Sequence, residues 1–240
     1  MSDINSSAEG GGIDLKTCDQ DDRMGFIKKV YVILFAQLLL TAGITWVAIT
    51  SVGMAEWMQD NWWLYILLIF PLIGTQICLI CNRKMARKVP VNYIALLVFT
   101  LCETYFVAFL CQYYTYEPYR NEFNEQGYRD VGVAAAMTCG IVAAVTAYAW
   151  TTKTDFTMKW GFIWVFGMTF MMLTFFSIFF YSYIFEMILC SLGVLLFGIY
   201  LIFDTQLIVG KGRYKLSIDD YILGAMVLYA DIIMIFIYLL

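Results

Sequence analysis

Seven stretches of about twenty mostly apolar residues recur along this 240-residue chain, and they constrain its fold more than any motif does. They run approximately Val30–Val52, Trp62–Cys81, Val91–Cys111, Val131–Trp150, Trp160–Tyr181, Ile184–Val209 and Tyr221–Leu240. A helix rising 1.5 Å per residue crosses the roughly 30 Å hydrocarbon layer of a bilayer in about twenty residues. No water is available there to bond a free amide or carbonyl, so each stretch is predicted to be a helix. With 62% hydrophobic and only 14% charged residues, the chain lacks the charge to cover a water-soluble surface. The expected fold is all-α: a polytopic membrane protein with seven transmembrane helices.

The basic residues orient the chain. One side carries Lys16, Arg23, Lys28 and Lys29, then Arg83, Lys84, Arg87 and Lys88, then Lys153 and Lys159, then Lys211, Arg213 and Lys215; the other carries only Arg120 and Arg129. Lys and Arg resist transfer across a membrane, so the N-terminus and the even-numbered connections are expected in the cytosol. No basic residue follows Tyr221, and a complete seventh span is the simpler reading there. Tyr and Trp gather at span ends, as interfacial belts do. Residues 1–22 are polar, glycine-containing and acidic, unlike a signal or transit peptide, and read as a disordered cytosolic tail ahead of a membrane domain at 23–240.

Several chemistries are excluded. The chain has no histidine, which removes imidazole-ligated metals, Ser-His or Cys-His catalysis and an imidazole switch. No nucleophile–base pair is visible, so the chain does not read as an enzyme. No basic stripe interleaved with aromatics suggests nucleic acid. The seven cysteines lie mostly in apolar runs and read as packing residues, Cys78 and Cys81 included despite their CxxC spacing. Asp219 and Asp220 read as an N-terminal cap of the last helix. Pro71 is expected to bend the second span. Gly132, Ala136, Gly140 and Ala144 recur every four residues in the fourth, a stripe expected to admit a neighbouring helix.

Three acids stand inside spans: Glu103 in the third, Asp204 in the sixth and Asp231 in the seventh. An acid at such depth costs a few kcal/mol and defaults to function. Asp204 lies roughly 9 Å in from the connection at Gly210, and Asp231 roughly 16 Å in, by helical rise. The sixth and seventh spans are joined by a short loop, so the two aspartates are expected to share a cavity open to the cytosol. Paired, they would titrate as a unit; ionised, they would attract a hard divalent cation. The alternative is a structural buried pair.

At these residues the chain resembles the Bax-inhibitor-motif family, and within it the Lifeguard branch. The matching stretches are Phe26-Ile-Lys-Lys-Val-Tyr-Val-Ile-Leu34 with Gln37-Leu-Leu-Leu-Thr41, then Pro90-Val-Asn-Tyr-Ile-Ala-Leu-Leu-Val-Phe-Thr-Leu-Cys-Glu103. Further on come Thr152-Lys-Thr-Asp-Phe-Thr157, Phe203-Asp-Thr-Gln-Leu207 and Asp220-Tyr-Ile-Leu-Gly-Ala-Met-Val-Leu-Tyr-Ala-Asp-Ile-Ile233, in family order. The resemblance implies two three-helix layers about a central seventh helix, a pH-sensitive Ca²⁺ leak in an intracellular membrane, and a restraint on cell death. It places the proton-sensing pair at Asp204 and Asp231, which would also be the transient Ca²⁺ ligands, and a latching base near Asp204, best matched by Arg83. Departures are Phe203, where Lifeguard proteins usually carry tyrosine, an extended connection at Gln112–Asp130, and an N-terminal stretch without the proline-rich pattern of many relatives.

The function expected is therefore a pH-regulated Ca²⁺ leak channel or Ca²⁺/H⁺ exchanger, with Asp204, Asp231 and Glu103 on the ion path. The alternative is a non-transporting structural or regulatory subunit of a larger membrane assembly. No permanently bound cofactor is implied; Ca²⁺ and H⁺ are the transported or regulating ions. The partners expected are the lipid bilayer and membrane proteins docking at Gln112–Asp130. The endoplasmic reticulum or Golgi is the expected location, the mitochondrial inner membrane the alternative.

Overall fold

The computed structural model describes residues 20–117, 122–179, 182–210 and 216–240. Its long helices are α1 (Gln20–Thr50), α3 (Trp63–Cys81), α5 (Val91–Thr115), α6 (Glu125–Thr151), α7 (Trp160–Ser177), α8 (Tyr183–Val209) and α9 (Tyr221–Leu239), with two short ones, α2 (Val52–Asp60) and α4 (Arg83–Arg87). The seven long helices, with flanking helical turns at some ends, meet the length and apolarity needed to cross a bilayer.

The helix ends follow local chemistry. Asp21 and Asp22 occupy the first turn of α1, where a negative charge meets the positive end of the helix dipole. Asn82 and Asn124 cap α4 and α6 by accepting from the amides of Met85 and Gln126. Gly210 ends α8 in the left-handed region (φ 73°), a conformation that favours glycine. Asp220 completes a capping box with Ser217 ahead of α9, as the sequence suggests. Pro71 lies inside a continuous α3, with the Thr75 hydroxyl donating to its carbonyl at 2.7 Å.

Helices α1, α3 and α5 pack together as one group and α6, α7 and α8 as another, while α9 contacts α1, α5, α6 and α8 between them. The last span is the most buried of the seven, 61% of its most apolar stretch against 6% for α3. Tyr229, Met226, Leu228 and Ile222 of α9 sit among the largest fully buried side chains. Polar atoms placed on α9 are therefore walled by protein, whereas α3 and α7 lie at the margins and present much of their surface to lipid.

Three expectations change. Helix α1 begins at Gln20, so residues 20–22 are its first turn and not tail; the rest of the tail lies outside the described residues. The small-residue stripe of α6 points outward: Gly132, Ala136, Gly140 and Ala144 are exposed, and a Cβ added at Gly132 or Gly140 meets nothing within 4 Å. The buried positions of α6 are instead Gly127, Val131, Ala134, Thr138 and Ala149. Within the connection Gln112–Asp130, α5 continues to Thr115 and α6 begins at Glu125, and β1 (Tyr116–Glu117) pairs with β2 (Glu122–Phe123). Gln112, Thr115, Tyr116 and Gly127 within it are buried, and a Cβ at Gly127 would meet the Tyr114 carbonyl at 2.2 Å.

Candidate functional site

Asp204 on α8 and Asp231 on α9 face each other, their carboxyl groups in hydrogen-bonding contact. Two carboxyls this close do not ionise independently, and the pair titrates as a unit. Asp231 Oδ2 is buried with no donor among the described residues, and the Thr205 hydroxyl beside Asp204 is likewise without a partner. Asp231 is 6% exposed, and Asp204 is partly exposed. Tyr200, one turn before Asp204, lies within electrostatic reach of both acids. Its hydroxyl nestles against α7, where a Cβ at Gly167 would come within 2.4 Å of it.

Three ties fix the end of α8 nearest the pair. Gln206 uses both ends of its amide, accepting from the Phe156 N–H and donating to the Thr154 carbonyl, each at 2.9 Å. Asp155 in that segment accepts from the Thr157 amide and hydroxyl at 2.9 and 2.6 Å. Arg23 of α1 donates to the Val209 carbonyl at the last turn of α8, where the helix dipole favours a cation. Phe203 is buried and stacks near Trp160, ring centroids 5.3 Å apart.

Arg83 is exposed, and among the described residues it makes no bond to Asp204. The expected latch is thus not formed by Arg83. The ion pair of this connection belongs to Arg87, one turn on, whose Nε and Nη2 donate to the two oxygens of fully buried Asp220 at 2.7 and 3.1 Å. That carboxylate holds the Arg87 guanidinium above the usual arginine range. Asp220 also accepts from the Ser217 amide at 3.1 Å, so one side chain caps α9 and ties it to α4.

Glu103 of α5 is 7% exposed and is not among the charges acting on the aspartate pair. Its ionisable neighbours are Tyr65, Cys102 and Tyr229. Among the described residues, His, Cys, Asp and Glu nowhere gather in threes as a resident metal site would need. What the pair offers a cation is two carboxylates.

The profile of the family described as inhibitor of apoptosis-promoting Bax1 matches residues 23–240. The chain belongs to the Bax-inhibitor family. Among curated relatives, mouse protein lifeguard 3 is 29% identical over 245 residues, covering 99% of this chain and 75% of that protein. Human protein lifeguard 3 is 29% identical over 226 residues, covering 92% and 69%. Mouse protein lifeguard 4 is 31% identical over 219 residues, covering 91% and 84%. This Bax-inhibitor chain is an integral membrane protein, and its matching stretches meet in space: Gln206 grips Thr154 and Phe156, and Thr41 reaches Tyr229. Arg87, Gln206 and Arg23 were missed as site residues. Their signal was faint: a base or amide at a helix end has many uses, and only the fold selects one.

Proposed function

We propose that this chain forms a Ca²⁺ pathway regulated by protonation, acting as a leak channel or Ca²⁺/H⁺ exchanger of an intracellular membrane and restraining cell death. The observation that carries it is the contact between the Asp204 and Asp231 carboxyls inside a membrane-spanning bundle. With the proton shared, the pair holds one negative charge and is satisfied by its own hydrogen bond. When the proton leaves, two carboxylates face each other without a donor for Asp231 Oδ2, an arrangement relieved by a hard cation with oxygen preference. Raising the pH therefore favours Ca²⁺ entry to the pair, and lowering it favours the closed, hydrogen-bonded form. The side from which the pair is reached is the basic one, and the thirteen-to-two split of Lys and Arg supports a cytosolic assignment for it. The family's description as inhibitor of apoptosis-promoting Bax1 and the lifeguard names of the relatives support the role in cell death.

The test is Ca²⁺ flux into liposomes containing only the purified protein, across a pH series. Asp204→Asn and Asp231→Asn should each flatten the pH dependence, and the double variant should add little, as residues acting as a unit do. An unchanged flux-versus-pH curve for Asp204→Asn would overturn the mechanism. A wild-type protein impermeable to Ca²⁺ at every pH would leave the non-transporting subunit as the reading.

A further inference from the structure

A second line of polar groups runs through the bundle, apart from the aspartates. Helix α1 presents Gln37, Thr41 and Thr45 at four-residue intervals; α5 presents Thr100, Thr104 and, two turns further, Gln112. All six are buried, none more than 8% exposed. The two helices run in parallel register. Gln37 Nε2 donates to the Thr100 hydroxyl at 2.8 Å, and the Thr41 hydroxyl lies 2.9 Å from that of Thr104 and 2.7 Å from that of Tyr229 on α9.

These bonds do not consume the polar atoms present. Gln37 Oε1, Thr45 Oγ1 and both amide atoms of Gln112 are buried with no hydrogen-bond partner among the described residues. Leaving such groups dry carries their full desolvation cost, and Val or Leu would fill the same volume without it. Buried polar groups without a protein partner are the usual sites of internal water. The spacing suits it. Four residues of helix separate consecutive hydroxyls by about 6 Å, close to two hydrogen bonds of about 2.8 Å end to end. A single water in each gap would close it.

There is also room. A pocket of about 160 Å³ between α1, α2 and α5 reaches Thr104 and Tyr105, and the Tyr105 hydroxyl is buried without a partner among the described residues. Met58 of α2 packs with Ala48 and Ala108 along this flank. Glu103 precedes Thr104 on α5, and the titratable groups facing it are Tyr65 of α3, Cys102 of α5 and Tyr229 of α9.

We infer that the seam between α1 and α5 holds a file of waters connecting Glu103 to the membrane face opposite the basic connections, a route for protons separate from the aspartate pair. Each water or hydroxyl accepts one proton and passes on another, and the net step is protonation of the Glu103 carboxylate by a proton taken from that face. The inference rests on the seam itself and is independent of Ca²⁺ transport.

X-ray hydroxyl-radical footprinting of the full chain in nanodiscs tests it, because radicals formed from bound water label the side chains beside it. Tyr229 and Met226 are both fully buried, one turn apart on α9. A wet seam should label Tyr229 several-fold more than Met226, although methionine is the more reactive side chain. Thr45→Val and Gln112→Leu should each lower that labelling several-fold, and Thr45→Ser, which keeps the hydroxyl, should preserve it and report on folding. In parallel, the infrared carboxyl band assigned by Glu103→Gln should exchange with deuterium more slowly in Thr45→Val. Equal labelling of Tyr229 and Met226 in the wild type would mean a dry seam and overturn the inference. Labelling or exchange unchanged in Thr45→Val and Gln112→Leu would mean that water arrives by another way, and would overturn it equally.

Discussion

Asp220 has no exposed surface yet accepts two bonds from Arg87 and one from the Ser217 amide. Arg87→Gln strips a buried carboxylate of its cation, so thermal stability in detergent should fall by about 2 kcal/mol, within the range for hydrogen bonds to charged groups. Arg83→Gln, at an exposed position, should leave the melting midpoint where it is. Pairing Arg87→Gln with Asp220→Asn should recover part of the loss, because the uncompensated charge is then gone. An equal loss in Arg83→Gln would reverse the assignment. Why one base and not the other was hidden in the sequence is plain. Arg83, Lys84, Arg87 and Lys88 all satisfy the charge asymmetry equally, and that asymmetry says which side a residue lies on, never what it touches. Asp204, Asp231 and Glu103 stood out because an acid in an apolar run is costly wherever its helix points. That the two aspartates meet without Glu103 follows from helix rotation, which no local pattern encodes.

Helix existence was legible for the same reason: a run of about twenty apolar residues has one use in a bilayer. Helix facing was not. In water an amphipathic stripe names the buried side, but lipid is as apolar as leucine, and both faces of α6 read alike. Its four-residue recurrence of Gly and Ala therefore carried no direction, and the fold turns it outward. The close approaches lie elsewhere. A Cβ at Gly193 of α8 would fall 2.7 Å from the ring of Tyr238 on α9. Gly193→Ala should thus destabilise the bundle by about 1–3 kcal/mol, the usual cost of overpacking, while Gly140→Leu should leave thermal stability in detergent unchanged. Loss of stability in the second and not the first would put the stripe back at an interface. The short helices α2 and α4 escaped the sequence reading because neither is long enough to show a period.

Taken whole, the bundle has two unlike faces, one carrying the basic connections and one carrying α2 and the strand turn. A cysteine probe at exposed Lys84 should be labelled from the cytosol, and one at exposed Glu125 only from the opposite compartment; the reverse pattern would invert the orientation. The spans also differ in length. Helix α3, with 19 residues, measures about 28 Å, and α8, with 27, about 40 Å. The longer one leans or protrudes, but α3 lies at the margin with little protein around it, so the lipids beside it must match its short apolar length. The same holds for α7, with 18 residues, on the opposite margin, so both lipid-facing flanks of the bundle are short. Thin membranes would therefore accommodate the molecule at least cost, and thicker, sterol-rich ones would strain its lipid-facing margins.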